Sequence, residues 1–317
     1  MYKAEDVAIL FPGQGSQKPG MGRELAEHWT DAMQVWKLGE KISGYPLREI
    51  YWDGEEKDMA NTAYLQPALF VADLNVWLYL RDRLKPFCAA GHSLGEYCAL
   101  CAAGVLELRD CLDIVSLRGR LMSEAGKESS GKMAAILKLS QEQVEGLVEE
   151  AQTDSDGNIL IANYNTPGQF VVSGEQSLIE RIIARAKEKK GKGILLPVSG
   201  AFHSPMMREA AVELASYMDK KDWMRADFPV VLNSTAALDT DPRNIKRIMH
   251  KQMVSSVYWI QSVSNIHKNG ISRFLELGPK GVLARMVPQI LGQKEGVEAH
   301  GIDSLEEIVQ VRDKRII

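Results

Sequence analysis

The feature that most constrains the fold of this chain is the alternation of short apolar runs with longer segments of helical periodicity. Residues 7–11 and 87–90 have the pattern of buried strands, and residues 65–84, 94–103 and 112–125 have that of helices. Because strands that alternate with helices usually pair in parallel, this order predicts an α/β fold built on a parallel sheet. The alternation resumes later in the chain, with predicted helices at 205–217, 245–253, 257–268 and after Gly281, and predicted strands at 230–233 and 273–277.

The segment between residues 132 and 199 has a different order of elements. Its pattern predicts strand, helix, two strands, helix and strand, at residues 133–138, 141–151, 158–164, 169–173, 176–190 and 193–199. The Pro167-Gly168 pair between the two middle strands favours a hairpin turn. This βαββαβ order is typical of ferredoxin-like units. We therefore predict a larger α/β domain formed by residues 1–130 and 201–317, with a small ferredoxin-like subdomain, residues 131–200, inserted in it.

The charge balance and the apolar runs exclude several classes of partner. The chain has 38 Lys and Arg against 42 Asp and Glu, a net charge of -4, so no overall attraction draws it to nucleic acid. Its apolar runs are shorter than the roughly 18 residues that a membrane span needs, and the first residues lack the regions of a signal peptide. Four cysteines in a chain of this size suggest a reducing compartment. We expect a cytoplasmic protein that binds neither nucleic acid nor membrane.

The first chemical signal is the run Gly91-His92-Ser93-Leu94-Gly95, which has the G-x-S-x-G spacing of a nucleophile elbow. The predicted strand before it and the Ala- and Leu-rich helix after it are the context that an elbow needs. Ser93 is therefore a candidate nucleophile. The alternative is an ordinary serine at the N-cap of the helix.

A serine nucleophile needs a general base within hydrogen-bond reach, and the chain offers six histidines. His92 is adjacent to Ser93, and on a sharp turn its side chain would point elsewhere. His203 lies in a loop between the predicted strand at 193–199 and a helix that begins at Pro205, and such loops often carry catalytic groups. His203 is the candidate base, with a surface or cap-region histidine as the alternative.

Arg118 provides an independent signal, because it lies on the apolar stripe of a predicted helix. It follows Ile114 by four residues and Val115 by three, which places all three on one face. A guanidinium that points inward needs a partner, since an unpaired buried charge costs several kcal/mol. The partner is either a protein carboxylate or a substrate carboxylate, which the planar fork of arginine can hold by two hydrogen bonds.

The loop after the first strand, FPGQGSQ at residues 11–17, has glycines on both sides of Gln14. It lacks the third glycine of the dinucleotide-binding fingerprint and the Gly-Lys pair of the Walker A motif. We therefore favour an oxyanion contact opposite Ser93 over a phosphate loop.

Seven short motifs occur along the chain in this order: FPGQGSQ (11–17), QPALF (66–70), GHSLGEY (91–97), LRGRLM (117–122), NTPGQFVVSG (165–174), AFHSP (201–205) and ELGPKGVL (276–283). Together they resemble the malonyl-CoA:acyl-carrier-protein transacylase family, the stand-alone relatives of the acyltransferase domains of fatty acid and polyketide synthases. The resemblance implies an α/β-hydrolase-like large domain with a ferredoxin-like insertion. It also implies that the protein uses no metal or redox cofactor.

The resemblance further implies roles for seven residues. They are Ser93 as nucleophile, His203 as base, the amides of Gln14 and Leu94 as oxyanion hole, Arg118 as clamp for the malonyl carboxylate, Phe202 as a bulky group that leaves little room for a branched substrate, and Gln252, whose backbone carbonyl would orient the histidine.

The implied reaction moves a malonyl group from malonyl-CoA to Ser93, and then to the phosphopantetheine thiol of an acyl carrier protein. We expect these two partners and a monomeric enzyme. One alternative is a thioester hydrolase of the same fold, which we would expect to lack Arg118. The other is a carrier protein, suggested by the run GIDSL at 301–305, but too few residues follow it to complete a carrier domain. Ser304 is instead expected to cap a terminal helix at 305–312.

A run of lysines near the end of the predicted subdomain suggests where an acidic carrier protein docks. The densest basic run consists of Lys187, Lys189, Lys190 and Lys192. These cations would form a local basic patch on a chain whose net charge is negative. The alternative is a solvated helix end whose cations suit the C-terminal dipole.

Overall fold

The computed structural model describes residues 6–55, 57–128, 130–153 and 157–314. The strands within these ranges are β1 (Val7–Phe11), β2 (Cys88–Gly91), β3 (Gly131–Leu137), β4 (Ile159–Thr166), β5 (Gln169–Glu175), β6 (Lys192–Leu195), β7 (Val230–Val231), β8 (Leu238–Asp239), β9 (Arg273–Leu277) and β10 (Glu298–Ile302). The α-helices are α1 (Arg23–His28), α2 (Thr30–Ser43), α3 (Thr62–Leu80), α4 (Gly95–Ala102), α5 (Leu108–Glu128), α6 (Gln141–Thr153), α7 (Gln176–Glu188), α8 (Arg208–Met218), α9 (Pro242–Met249), α10 (Trp259–Lys268), α11 (Val282–Leu291) and α12 (Leu305–Lys314).

The larger sheet has six strands in the order β10-β9-β1-β2-β7-β8, and all neighbours pair in parallel except β7 and β8. The predicted α/β fold with a parallel sheet is thereby confirmed. Its central strand β1 is apolar throughout because both faces are covered. Ile9 and Phe11 point into the larger helical core, and Ala8 and Leu10 point into a second core on the opposite face.

The second sheet has four antiparallel strands in the order β4-β5-β3-β6. Its elements follow one another along the chain as β-α-β-β-α-β. One face packs against α6 and α7 through side chains such as Ile136 and Val172, while Ala135 and Val171 point from the other face into the larger core. We propose that residues 131–200 form an inserted ferredoxin-like subdomain on these grounds, with residues 1–130 and 201–317 as the main domain.

Several elements differ from the sequence-based prediction. The predicted strand at 193–199 ends at Leu195, and the predicted helix at 205–217 begins as a 3-10 turn, Pro205–Met207, before α8. The sequence pattern did not reveal α1, α2 or β10. None of the described helices combines the length and the apolarity of a membrane-spanning segment.

The terminal helix α12 begins with the capping serine that the sequence predicted. The Ser304 hydroxyl accepts a hydrogen bond from the backbone N–H of Glu307 at 3.2 Å, and the Glu307 carboxylate accepts one from the backbone N–H of Ser304 at 2.9 Å. This reciprocal pair is a capping box. Ser304 therefore has a structural role, which argues against the carrier-protein alternative.

Candidate active site

Ser93 lies on the tight turn between β2 and α4, at the carboxyl edge of the parallel sheet. Its backbone has φ 54°, a left-handed conformation that is unusual outside glycine. A Cβ on Gly91 would lie 1.9 Å from the carbonyl carbon of Gly95, and a Cβ on Gly95 would lie 2.1 Å from the carbonyl oxygen of Phe11. Only glycine fits at either position, so the spacing of the motif follows from the close approach of strand and helix.

The structure brings Ser93 and His203 together from positions 110 residues apart. Ser93 Oγ lies 2.7 Å from His203 Nε2. His203 Nδ1 lies 2.9 Å from the backbone oxygen of Ser255 and 3.2 Å from that of Gln252. Because a carbonyl oxygen can only accept, Nδ1 carries the proton and Nε2 accepts the hydrogen bond from the serine hydroxyl.

The surroundings keep His203 neutral. Burial lowers the pKa of its imidazole, and the positive charge of Arg118 and the neighbouring His92 lower it further, to about 3, against the two backbone hydrogen bonds that raise it. The free imidazole is therefore unprotonated at neutral pH and able to take a proton. The histidine bonded to Ser93 Oγ is His203 and not His92, whose Nε2 pairs with the side-chain oxygen of Asn165 at 2.8 Å.

Arg118 is fully buried on α5 and points at Ser93, in agreement with its place on the apolar stripe. Its Nη1 donates to the side-chain oxygen of Gln66 at 2.7 Å, and its Nη2 lies 3.1 Å from both Ser93 Oγ and Gln252 Oε1. Within the described ranges, Arg118 forms no ion pair with a carboxylate. Its hydrogen-bond partners are therefore neutral side chains, and the buried carboxylate of Glu96 interacts with its charge without a direct ion pair.

Two backbone amides in the pocket remain available for an oxyanion. The Ser93 N–H is not one of them, because it donates to the side-chain oxygen of Asn233 at 2.7 Å. Among the described residues, the N–H groups of Gln14 and Leu94 have no protein acceptor. Both residues line the pocket that contains Ser93.

The pocket around Ser93 has a volume of about 290 Å³ and lies between the two sheets. One wall is the face of the second sheet that carries Ala135 and Val171, together with polar side chains of β4. Phe202, 4% exposed, also lines the pocket, and its backbone oxygen accepts a hydrogen bond from Ser173 Oγ at 2.6 Å. The acyl group of a substrate would therefore meet a mostly apolar surface near Ser93 and Arg118.

Four polar residues of this site were not predicted from the sequence: Gln66, Glu96, Asn165 and Asn233. Two of them carried a usable signal. Gln66 is a buried amide in the mostly apolar helix α3, and Glu96 is the only charged residue in α4. A buried polar group needs a partner, so each could have been identified as part of a polar network. Asn233 carries a weaker signal, because it follows strand β7 closely.

A serine on a strand-to-helix turn, a histidine within hydrogen-bond distance and two free amides define the class of serine-dependent acyl-transfer enzymes. A family model described as an acyl transferase domain matches residues 9–305. The malonyl CoA-acyl carrier protein transacylase of Staphylococcus aureus is 36% identical over 303 residues, which are 95% of this chain and 97% of that protein.

Solved structures give the same result. The malonyl-CoA:acyl carrier protein transacylase of Xanthomonas oryzae pv. oryzae has a TM-score of 0.91 at 33% identity and covers 99% of both chains. A malonyl-transacylase in complex with its type II PKS acyl-carrier protein has a TM-score of 0.91 at 30% identity, covering 98% of this chain and 100% of that chain. This chain belongs to the acyl transferase family and is an acyltransferase, and its resemblance to the malonyl-CoA:acyl-carrier-protein transacylases is confirmed.

Proposed function

We propose that this enzyme transfers the malonyl group from malonyl-CoA to the phosphopantetheine thiol of an acyl carrier protein, through a malonyl ester on Ser93. The observation that carries the proposal is Arg118, a buried cation that lies 3.1 Å from Ser93 Oγ and forms no direct ion pair with a carboxylate of the described residues. Such a cation is suited to a substrate that carries its own carboxylate. The names of the relatives, and the relative solved with its acyl-carrier protein, support the same reaction.

In the first half-reaction, His203 Nε2 takes the proton of the Ser93 hydroxyl as Oγ attacks the thioester carbonyl of malonyl-CoA. The N–H groups of Gln14 and Leu94 donate to the oxyanion that forms. The backbone oxygens of Gln252 and Ser255 stabilise the imidazolium through Nδ1–H. Collapse of the intermediate releases CoA, which receives the proton from His203, and leaves malonyl-Ser93.

In the second half-reaction, the carrier thiol attacks the ester carbonyl of malonyl-Ser93 and gives its proton to His203. The same two amides donate to the second oxyanion, and Ser93 leaves as the alcohol after taking the proton back. These groups supply all the acid, base and electrostatic steps, so the proposed reaction requires no metal or redox cofactor. We place the reaction in the cytoplasm, where malonyl-CoA and the carrier would be available.

The direct test is transfer of a radiolabelled malonyl group from malonyl-CoA to a purified acyl carrier protein. Label on the carrier supports the proposal. Free malonate in place of the labelled carrier would instead favour the thioester hydrolase, an alternative that the comparisons do not support.

Phe202 is proposed to select against branched substrates, because it lines the pocket that contains Ser93 and His203. Phe202→Ala is expected to raise transfer from methylmalonyl-CoA relative to malonyl-CoA by about 10-fold or more, since one methyl group in an apolar pocket is worth roughly 1 to 3 kcal/mol. The ratio of kcat/KM for the two substrates measures this. Phe228→Ala, which removes a phenylalanine that does not line this pocket, is the control. An unchanged ratio in Phe202→Ala would assign the selectivity to other residues.

The lysine cluster of Lys187, Lys189, Lys190 and Lys192 is proposed to attract the acidic carrier. All four side chains are exposed, at the end of α7 and the start of β6, and the chain leaving β6 reaches the pocket at Leu196. Reversing two of these charges, for example K189E with K192E, is expected to raise the carrier's KM by about 10-fold at low salt. Charges at the rim of an interface mainly change the rate at which the two proteins associate.

Malonyl-CoA kinetics should stay unchanged in that double variant, which separates docking from chemistry. The matched control is K37E with K41E on α2, a helix that contributes no residue to the pocket. Equal carrier KM values in the two double variants, with the same salt dependence, would place carrier docking elsewhere.

A further inference from the structure

Glu96 is a fully buried carboxylate in the first turn of α4, and it is bonded to two residues that touch the catalytic groups. Its Oε1 accepts from the backbone N–H of Asn233 at 2.8 Å. Its Oε2 accepts from the side-chain amide of Gln252 at 3.0 Å. The proposed mechanism gives Glu96 no chemical role, yet it connects the two sides of the site.

On one side, Glu96 fixes the orientation of the Gln252 amide. An ionised carboxylate can only accept, so Gln252 must turn its NH₂ group toward Glu96, and the same Nε2 also donates to the Ser93 backbone oxygen at 2.8 Å. Gln252 Oε1 is then forced to face Arg118, from which it accepts at 3.1 Å. With the amide reversed, an NH₂ group would face the guanidinium and the bond would be lost.

On the other side, Glu96 anchors the residue that holds the nucleophile turn. The Asn233 backbone is tied to Glu96, while its side chain accepts from the Ser93 N–H at 2.7 Å and donates to the Gly91 oxygen at 2.6 Å. These two bonds span the left-handed turn. Asn233 also occupies the Ser93 N–H, which leaves the Leu94 N–H as the free donor.

We propose that ionised Glu96 is a positioning residue that sets Arg118 through Gln252 and Ser93 through Asn233. This inference rests on the proposed function, because it concerns the alignment of the arginine with a substrate carboxylate. Protonation of Glu96 would remove the alignment. When Glu96 is protonated, one of its two oxygens becomes a hydroxyl, which is a donor and a poor acceptor. Either one of the two hydrogen bonds to Glu96 then weakens, or the Gln252 amide reverses and loses its hydrogen bond from Arg118.

The charged and titratable groups around Glu96 are few. Arg118 on α5 favours its ionised form, and Tyr97 is next to it on α4. Asp73 on α3 acts on Cys98, farther along α4, and β1 and β2 carry no charged side chain. Burial raises the pKa of Glu96 to about 7, against the hydrogen bonds from its two partners and the charge of Arg118. The aligned site is therefore present above this pH and lost as the pH falls through it.

The experiment compares pH profiles of malonyl and acetyl transfer in the parent enzyme and in Glu96→Gln. In the parent, kcat/KM for malonyl-CoA should fall below a pH of about 7, and the preference for malonyl over acetyl should fall with it. Protonation of His203 does not cause this acidic limb, which is the fall of kcat/KM below a pH of about 7, since the pKa of His203 is much lower, about 3. In Glu96→Gln, malonyl transfer should drop about 10- to 100-fold at high pH, because one bond to a charged group is lost, and the limb near 7 should vanish.

Glu276→Gln is the matched control. Glu276 is equally buried, and burial raises its pKa to about 7 as well, but its carboxylate accepts from the backbone N–H groups of Val282 and Ala284 at 2.9 and 2.7 Å. In the described part of the chain, it forms no hydrogen bond with Ser93, His203, Arg118 or Gln252. This variant should keep both the limb and the malonyl preference. Glu96→Asp, which retains an acceptor carboxylate, should recover part of the preference that Glu96→Gln loses.

A limb that persists in Glu96→Gln, or that disappears equally in Glu276→Gln, would overturn the inference. If Glu96→Gln does not fold, the parent alone decides: a malonyl-to-acetyl ratio that stays constant between about pH 8 and pH 6 contradicts it. Failure of the proposed function is distinguishable, because the parent would then transfer no label from malonyl-CoA to the carrier at any pH.

Discussion

Ser93→Ala is expected to abolish the covalent malonyl-enzyme, which the parent should form on mixing with malonyl-CoA. The Ser93 hydroxyl oxygen is the atom that the proposed ester uses. Alanine keeps the Cβ of serine and removes only this hydroxyl, so the turn should be preserved. Loss of a nucleophile of this kind costs about 10⁶ in kcat. Intact-mass spectrometry of the protein, with and without malonyl-CoA, measures the adduct directly. Ser216→Ala, at an exposed serine of α8, is the control and should keep the adduct.

His203→Ala should slow formation of the same adduct by several decades without preventing it, because Ser93 Oγ then loses its proton acceptor at 2.7 Å but keeps the two amide donors. His28→Ala, at an exposed histidine of α1, provides the comparison. The melting temperatures of all four variants establish that they are folded. Detection of a malonyl adduct on folded Ser93→Ala would show that another residue is the nucleophile.

The elements that the sequence predicted best are those defined by short-range patterns. The two strands β1 and β9 begin and end at the predicted residues. A buried strand of a parallel sheet is mostly apolar, as β1 is throughout and as β9 is except for Arg273 and Glu276. The elbow at Ser93 was predictable from the spacing of its motif. Gly91 is required by contacts within the turn itself, and Gly95 by the close approach of the Phe11 backbone at the end of β1.

The polar network behind the elbow was not predictable in this way. The bond from Asn233 to Glu96 joins residues 137 apart, and that from Gln252 to Glu96 joins residues 156 apart. Such pairs are set by the order of β1, β2 and β7 in the sheet, which no periodicity in the sequence specifies. The inward direction of Arg118 could be predicted from its helix, but the identity of its partners could not.

The neutral partners of Arg118 lead to the prediction that separates a substrate clamp from a structural arginine. If Arg118 holds the malonyl carboxylate in a pocket with little water, Arg118→Ala leaves that carboxylate unpaired. This costs about 3 to 5 kcal/mol, or roughly two to three and a half decades in kcat/KM for malonyl-CoA. Acetyl-CoA has no carboxylate, so its kcat/KM should fall far less than that of malonyl-CoA, or rise. Any fall should be no larger than the loss of the hydrogen bond from Arg118 to Ser93 Oγ explains.

A structural arginine predicts a different pattern, in which transfer of both acyl groups falls together and the melting temperature drops. The structure makes this pattern the less expected one, because Gln66 and Gln252 are neutral and no carboxylate of the described residues forms a direct ion pair with Arg118. Glu96 interacts with its charge but is hydrogen-bonded by Asn233 and Gln252 instead. The pH profile adds a second readout: Arg118 is one cause of the low pKa of His203, so Arg118→Ala should raise that pKa and move the acidic limb of acetyl transfer upward.

The measurement is the ratio of kcat/KM for malonyl-CoA to that for acetyl-CoA, determined with the melting temperature in the parent, in Arg118→Ala and in Arg120→Ala. Arg120 is the matched control, because it lies on the same helix with an exposed side chain and should leave the ratio unchanged. A clamp at Arg118 predicts a fall in the ratio of about 100-fold or more with a small change in stability. A ratio within about threefold of the parent, under about 0.7 kcal/mol of discrimination, would mean that Arg118 does not bind the malonyl carboxylate.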